Sequence, residues 1–166
     1  MLRTITWLLL IAFTSTSSSC SSKSARKEKV AGYFWVKKIV DGDTFYIEDD
    51  TEKGTKIRLI GVDAPESKNV FKKKIGYNGK EAKEYLTNLL SGKRVRLEYD
   101  LDRFDQYQRT LAYVYLEDGT FVNADLVKNG YAMVMTVPPN VKFAEEFLRL
   151  QQEARENNRG LWAIHE

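Results

Sequence analysis

Polar and apolar residues alternate strictly in Arg94-Val95-Arg96-Leu97-Glu98-Tyr99 and again in Lys56-Ile57-Arg58-Leu59-Ile60. A period of two sets one face of an extended segment against a core and the other against solvent, so both stretches are predicted as half-buried strands. Tyr33 to Val40 is aromatic and β-branched, runs into the turn signal Asp41-Gly42-Asp43, and is followed by Thr44-Phe45-Tyr46-Ile47. That pattern predicts a hairpin. The polar segment Glu48 to Gly54 is a second turn, and Thr110 to Leu116 is a further aromatic and β-branched strand that stops at Asp118-Gly119.

The period changes to that of a helix in three places. Ala82, Leu86, Leu89 and Leu90 form one stripe within Gly79 to Leu90, which Ser91-Gly92 ends. Val122 to Asn129 is closed by Gly130, and Phe143, Phe147, Leu150 and Ala154 recur at helical spacing within Val141 to Asn158, with Asn140 as the expected cap. Five strands with a helix between the third and fourth match the order of an OB-fold, a five-stranded Greek-key barrel, here with about three helices. Such barrels bind oligonucleotides and oligosaccharides, but fold alone assigns no reaction.

The first residues follow a different logic. Arg3 precedes an apolar run from Ile5 to Phe13, too short to span a bilayer comfortably, and Thr14 to Ser19 is small and polar. Residues 1–19 are therefore expected to be a signal peptide, and the protein is expected to work outside the cytoplasm. Cys20 is the single cysteine, so no intramolecular disulfide can form. Its place after an apolar segment resembles the bacterial lipoprotein pattern, with Cys20 lipidated and residues 20–29 a flexible, basic tether. Ser17 stands where most such proteins carry an aliphatic residue, so cleavage among the serines and free secretion is the competing reading. Residues 30–166 are left as the folded domain, and their membrane contact is expected only through the anchor.

With 43% hydrophobic and 12% aromatic residues, 166 residues can bury one core. A formal charge of +3 is too small to attract nucleic acid by itself, so any such attraction must come from local clustering. One histidine, His165, and one cysteine argue against a nucleophile-histidine triad and against a zinc site. Oxygen-ligand metal chemistry on carboxylates remains.

Three segments carry the chemistry: Val40-Asp41-Gly42-Asp43-Thr44, Arg58-Leu59-Ile60-Gly61-Val62-Asp63-Ala64-Pro65-Glu66, and Asp105-Gln106-Tyr107-Gln108-Arg109-Thr110. Together they resemble the staphylococcal nuclease family, and the resemblance runs from about Val36 to Trp162, including Asn158-Arg159-Gly160-Leu161-Trp162. The resemblance implies that Asp43 and Asp63 ligate a calcium ion by carboxylate and Ala64 by its carbonyl, with Asp41 near the ion but not an obligatory ligand. It implies that Glu66 orients the attacking water, and that Arg58 and Arg109 grip the target phosphate. Planar, permanently charged guanidinium groups suit that grip better than lysine.

Lys68, Lys72, Lys73, Lys74 and Lys80, interleaved with Phe71 and Tyr77, suggest a basic and aromatic surface for a polyanionic strand. Lys72 and Lys73 are the candidate contacts there, and Tyr107 matches a family tyrosine beside the nucleotide. Thr136 and Pro138 fall where the family has pocket tyrosines, and Gln106 replaces a lysine that grips a terminal phosphate. The expected protein is thus a monomeric, calcium-dependent endonuclease acting on DNA and RNA. It should prefer single strands, favour longer strands over short ends, and leave 3′-phosphates. The alternative is a catalytically weak nucleic-acid-binding module on the cell envelope, or a scaffold for partner proteins there.

Overall fold

The computed structural model describes residues 32–66 and 79–163. The expectations for the signal peptide, Cys20, the tether and the lysines from Lys68 to Lys74 lie outside the described residues. In chain order the elements are β1 (Phe34–Asp41), β2 (Thr44–Ile47), β3 (Thr55–Leu59), β4 (Val62–Asp63), α1 (Gly79–Leu90), β5 (Arg94–Glu98), β6 (Thr110–Leu116), α2 (Val122–Lys128), β7 (Met133–Val134) and α3 (Ala144–Glu156). A short 3-10 turn, Gly160–Trp162, ends the described chain.

Five strands close into a barrel in the order β1-β2-β3-β6-β5. β1 makes this closure possible by bending. Its pairing with β2 slips between Val36 and Lys38 and again between Ile39 and Asp41, and such bulges bend and twist a strand. One end of β1 can then reach β5, where Phe34 faces Val95 and Trp35 faces Arg94. The barrel is the OB-type architecture that the strand order predicts.

Two registers position Arg58. In the antiparallel β2–β3 pair Thr44 faces Arg58, and in the parallel β3–β6 pair Arg58 faces Leu111. Ile57 and Leu59, which flank Arg58, are buried, so a slip of one residue would push the guanidinium into the core. The hydrophobic pattern therefore fixes where Arg58 points.

The core inside the barrel includes Phe45, Ile57, Val95 and Val114, all fully buried. The α1 stripe of Ala82, Leu86 and Leu90 covers it, each leucine contributing roughly 1.5–3 kcal/mol by leaving water. A second cluster joins β6 to α3: the Tyr113 ring meets Phe143 edge-on at 4.7 Å and Phe147 at 6.3 Å. Gly61, at φ +79°, turns the chain between β3 and β4, and a Cβ there would lie 2.6 Å from the Phe147 ring. No larger residue fits that turn.

The strands and helices fall where the sequence places them, with ends displaced by a residue or two, except at α3. That helix begins at Ala144, because Val141 to Phe143 are taken up by a turn closed by the Ala144 N–H to Val141 O bond. Asn140 is not its cap. The buried Asn140 side chain instead accepts from the Asp102 N–H and donates to the Asp102 carbonyl, both at 2.8 Å. The two-residue strands β4 and β7, paired through Val62 and Val134, have no counterpart among the predicted elements, being too short to leave a periodic trace.

Asn123, on α2, makes a comparable link to β6 and the end of β3. Its Oδ1 accepts from Val114 N–H at 3.0 Å, while Nδ2 donates to Ile60 O at 2.9 Å and Ala112 O at 3.4 Å. The side chain is fully buried, so its loss strands backbone groups away from water. Asn123→Ala is expected to lower stability by about 2–4 kcal/mol in urea unfolding; an unchanged midpoint would contradict this role.

Candidate active site

Each functional side chain arrives from the end of a barrel element. The tight β1–β2 turn brings Asp43, and Gly42 is required there, because a Cβ would come within 2.6 Å of the Ala64 Cβ and 2.9 Å of the Ala82 Cβ. β3 supplies Arg58, and β4 carries Asp63 just beyond it. The loop before β6 supplies Arg109. Asp41, Asp43, Arg58, Asp63, Glu66, Tyr107 and Arg109 all line one cavity of about 820 Å³. Residues that are far apart in sequence therefore share one solvent-filled space.

Arg58 is the hub. Its Nη1 lies 2.8 Å from Asp43 Oδ2 and donates to Val62 O at 2.8 Å, while Nη2 lies 2.7 Å from Asp63 Oδ1. The guanidinium is nearly sealed from solvent, where charge interactions are screened little. Asp43 has two further donors: Ala64 N–H to Oδ2 at 2.9 Å and the Thr44 hydroxyl to Oδ1 at 2.8 Å. Even so, burial pushes the Asp43 carboxyl above its ordinary value, and Arg58, Ala64 and Thr44 do not fully offset it.

The second arginine is mounted differently. Arg109 Nε donates to Asp105 Oδ2 at 2.6 Å, and its own N–H donates to Asp105 Oδ1 at 3.0 Å. Tyr107 N–H adds a bond to the same Oδ1, and Gln108 takes the left-handed conformation, φ 59°, that folds this loop back. Burial works against the Asp105 charge, but these donors win and hold the carboxyl below its usual range. The Arg109 guanidinium also lies 5.3 Å from the centre of the Tyr107 ring. Asp105 is legible in the sequence as part of a motif, but its role as the residue that aims Arg109 is not. The four-residue spacing of opposite charges is the signal that could have shown it.

Glu66 stands at the exposed rim. Partial loss of water raises its carboxyl first, followed by the charge of Asp41 and a hydrogen bond between those two side chains, with Asp43 and Asp63 adding to the effect. Asp43 and Asp63 are bridged by Arg58, Asp41 and Glu66 line the same cavity, and Arg109 is already matched by Asp105. Among the described residues that line the cavity, acidic side chains outnumber the basic ones, Lys56, Arg58 and Arg109.

The donor chemistry fits a hard divalent cation. Arg58 brings Asp43 and Asp63 to the two ends of one guanidinium, and Ala64 sits directly behind, tied to Asp43 by its N–H. Among the described residues no group of three or more acidic, histidine or cysteine side chains forms a ready cage. Calcium accepts six to eight oxygens, so carbonyls, water and phosphate would complete a shell begun by two carboxylates.

Of the substrate contacts expected from sequence, Tyr107 is on the cavity wall and strongly exposed, and Lys80 is exposed on α1. Lys72 and Lys73 lie outside the described residues. The wall assigned to Thr136 and Pro138 is formed instead by Met135, Val137 and Pro138, and Thr136 is not part of it. The pairing of β7 with β4 and the Met135 N–H bond to Gly61 O set that facing, which no sequence period reveals. Gln106 does line the cavity.

The family model described as "Staphylococcal nuclease homologue" matches residues 56–164. The thermonuclease of Staphylococcus intermedius is 40% identical over 129 residues, covering 78% of this chain and 75% of that protein. The thermonuclease of Staphylococcus hyicus is 38% identical over 126 residues, covering 76% and 73%. Endonuclease YncB of Bacillus subtilis is 31% identical over 153 residues, covering 91% and 71%.

Replacing Asp43 by asparagine separates chemistry from stability. The amide can still accept from Ala64 N–H and Arg58 while its NH₂ donates to Thr44, and Arg58 keeps Asp63. Since the folded carboxyl holds its proton more tightly than an unfolded one, ionising Asp43 costs stability above its raised value and costs nothing well below 3.8. In chelator, Asp43→Asn is expected to melt at or above the parent's temperature at pH 7, with the advantage shrinking as pH falls, while its cleavage assayed with the divalent metal restored drops at least about 100-fold. A clearly less stable variant at pH 7 would contradict the charge account.

Proposed function

The chain belongs to the staphylococcal nuclease homologue family, and on that premise we propose that it is a calcium-dependent endonuclease hydrolysing phosphodiester bonds of DNA and RNA. The observation that carries this reading is the single cavity into which the β1–β2 turn, β3, β4 with the segment after it, and the loop before β6 deliver the carboxylates and both arginines.

The chemistry follows from the charges. Attack on a phosphodiester builds negative charge on the equatorial oxygens, and a cluster of carboxylates alone would repel it. Arg109, held by Asp105 and bordering the open cavity, presents guanidinium donors to one face of the phosphate. Arg58 carries five N–H donors, and its nitrogens point at Asp43, Asp63 and Val62 O within the same cavity. A calcium ion held by Asp43, Asp63 and the Ala64 carbonyl would supply Lewis-acid stabilisation of the phosphate and a more acidic bound water. Glu66, whose raised carboxyl reaches the cavity rim, orients the attacking water and takes its proton. In-line attack then breaks the bond to the 5′ oxygen, which takes a proton from solvent and leaves as a hydroxyl, and the other strand end keeps a 3′-phosphate.

Unpaired strands are the favoured substrate because the stacked bases and paired backbone of a duplex resist entry into such a cavity. From the sequence pattern alone, Lys72 and Lys73 are assigned phosphate contacts, and binding should weaken as salt rises. Purified residues 21–166 with single-stranded DNA test the reading: cleavage in calcium and none in chelator is expected. Glu66→Gln should bind the strand at low salt yet cut at least about 100-fold more slowly; cutting at the parental rate would remove Glu66 from the mechanism.

For the N-terminal segment, we infer cleavage before Cys20 and lipidation of its thiol, supported by the sequence pattern alone. Mass spectrometry of the membrane-extracted protein should find a diacylglyceryl group on Cys20. An unmodified, freely secreted product would replace the anchor with ordinary export.

A further inference from the structure

A row of cations runs out of the catalytic cavity across the outer wall of the barrel. Lys56 lines that cavity together with Arg109. Register places the two side by side: Ile57 faces Thr110 in the parallel β3–β6 pair, and Lys56 and Arg109 are the residues just before them. In the antiparallel pairs Lys56 faces Tyr46, and Tyr46 faces Lys38. One cross-strand row therefore reads Arg109, Lys56, Tyr46, Lys38.

The core decides on which side this row lies. Phe45 and Ile47, which flank Tyr46, are buried, and so is Ile57 after Lys56, so Tyr46 and Lys56 turn outward. On β1 the slip in pairing between Val36 and Lys38 brings Lys38 rather than Lys37 opposite Tyr46. Lys37 is occupied elsewhere, its ammonium donating to the Glu52 carbonyl. Lys38 is exposed, and among the described residues neither it nor Lys56 forms an ion pair, whereas Arg58 and Arg109 are both matched by carboxylates. Neighbouring strands are ~4.8 Å apart, so Lys38 stands about 10 Å from Lys56 along the row, well outside the site where phosphate is gripped.

Resting on the nuclease reading, we propose that Lys56 and Lys38 hold backbone phosphates of the substrate strand on one side of the scissile phosphate, leading that strand out of the cavity over β3, β2 and β1. Ammonium groups are point charges on flexible stems, so they attract a phosphate without fixing its geometry. That suits them to holding a strand and not to stabilising a transition state. Tyr46, between them, adds a hydroxyl donor. A strand long enough to follow the row gains contacts that a short end cannot reach, so the row gives the preference for longer strands a physical origin.

The test measures the affinity of the Glu66→Gln protein, which leaves the strand intact, for a long labelled oligothymidylate at constant calcium as salt rises. In that background Lys38→Gln/Lys56→Gln should flatten the slope of log Kd against log salt by about 1.4, and Lys38→Gln alone, at an exposed position, by about 0.7, since each phosphate contact to a single strand contributes roughly 0.7. Lys38→Arg/Lys56→Arg should keep the slope. Lys93→Gln/Lys128→Gln removes the same charge at exposed positions outside the cavity and should also leave it unchanged. An unchanged slope for Lys38→Gln, or an equal flattening by the Lys93 and Lys128 changes, would overturn the row. Cleavage of the same strand by the parent tests the nuclease reading separately. No cleavage beside the expected slopes would fail that reading and leave the row standing, and cleavage beside equal slopes would overturn the row alone.

Discussion

One guanidinium holds this site together. Arg58 spans Asp43 and Asp63 and also bonds the Val62 carbonyl, so it ties the first hairpin, the third strand and the short fourth strand at one point. The arrangement depends on register. Arg58 is the solvent-directed residue between Ile57 and Leu59, and those two enter the core, so the hydrophobic effect that builds the barrel also aims the arginine. A buried charge needs partners, and the two carboxylates are the partners that the barrel supplies.

The cost of this design is electrostatic. Asp41, Asp43, Asp63 and Glu66 share one cavity, and the carboxyls of Asp43 and Glu66 both hold their protons more tightly than usual. Sites that concentrate like charge trade stability for function. Such a cluster is poised to gain from positive charge, and that is the physical reason for assigning it a divalent cation. Arg109 escapes the competition because Asp105 neutralises and orients it from within its own loop, leaving its charge directed rather than free to swing.

Much of this is legible in the chain. The alternation around Arg58 and the Asp-Gly-Asp turn point to the strands and the first hairpin of the barrel, because a period of two and a tight turn are local facts, while Asp43 and Arg58 are legible as site residues only through the family resemblance. What stays hidden depends on partners distant in sequence. Asn140 has the look of a helix cap, and only its position beside Asp102, 38 residues earlier, shows it to be a clamp on that backbone. Met135 and Val137 take the place expected for Thr136 because the facing of that segment is set by a two-residue pairing with β4 and by a bond to Gly61.

The proposed chemistry stands on Arg58 acting on phosphate through its planar, forked donors and not merely as a counter-charge for Asp43 and Asp63. Arg58→Lys keeps the charge and removes the fork, so the turnover number of this variant on single-stranded DNA at saturating calcium is the most direct measurement. A fall of about 100-fold or more is predicted, with calcium affinity nearly kept. Turnover equal to the parent's would contradict the role given to Arg58.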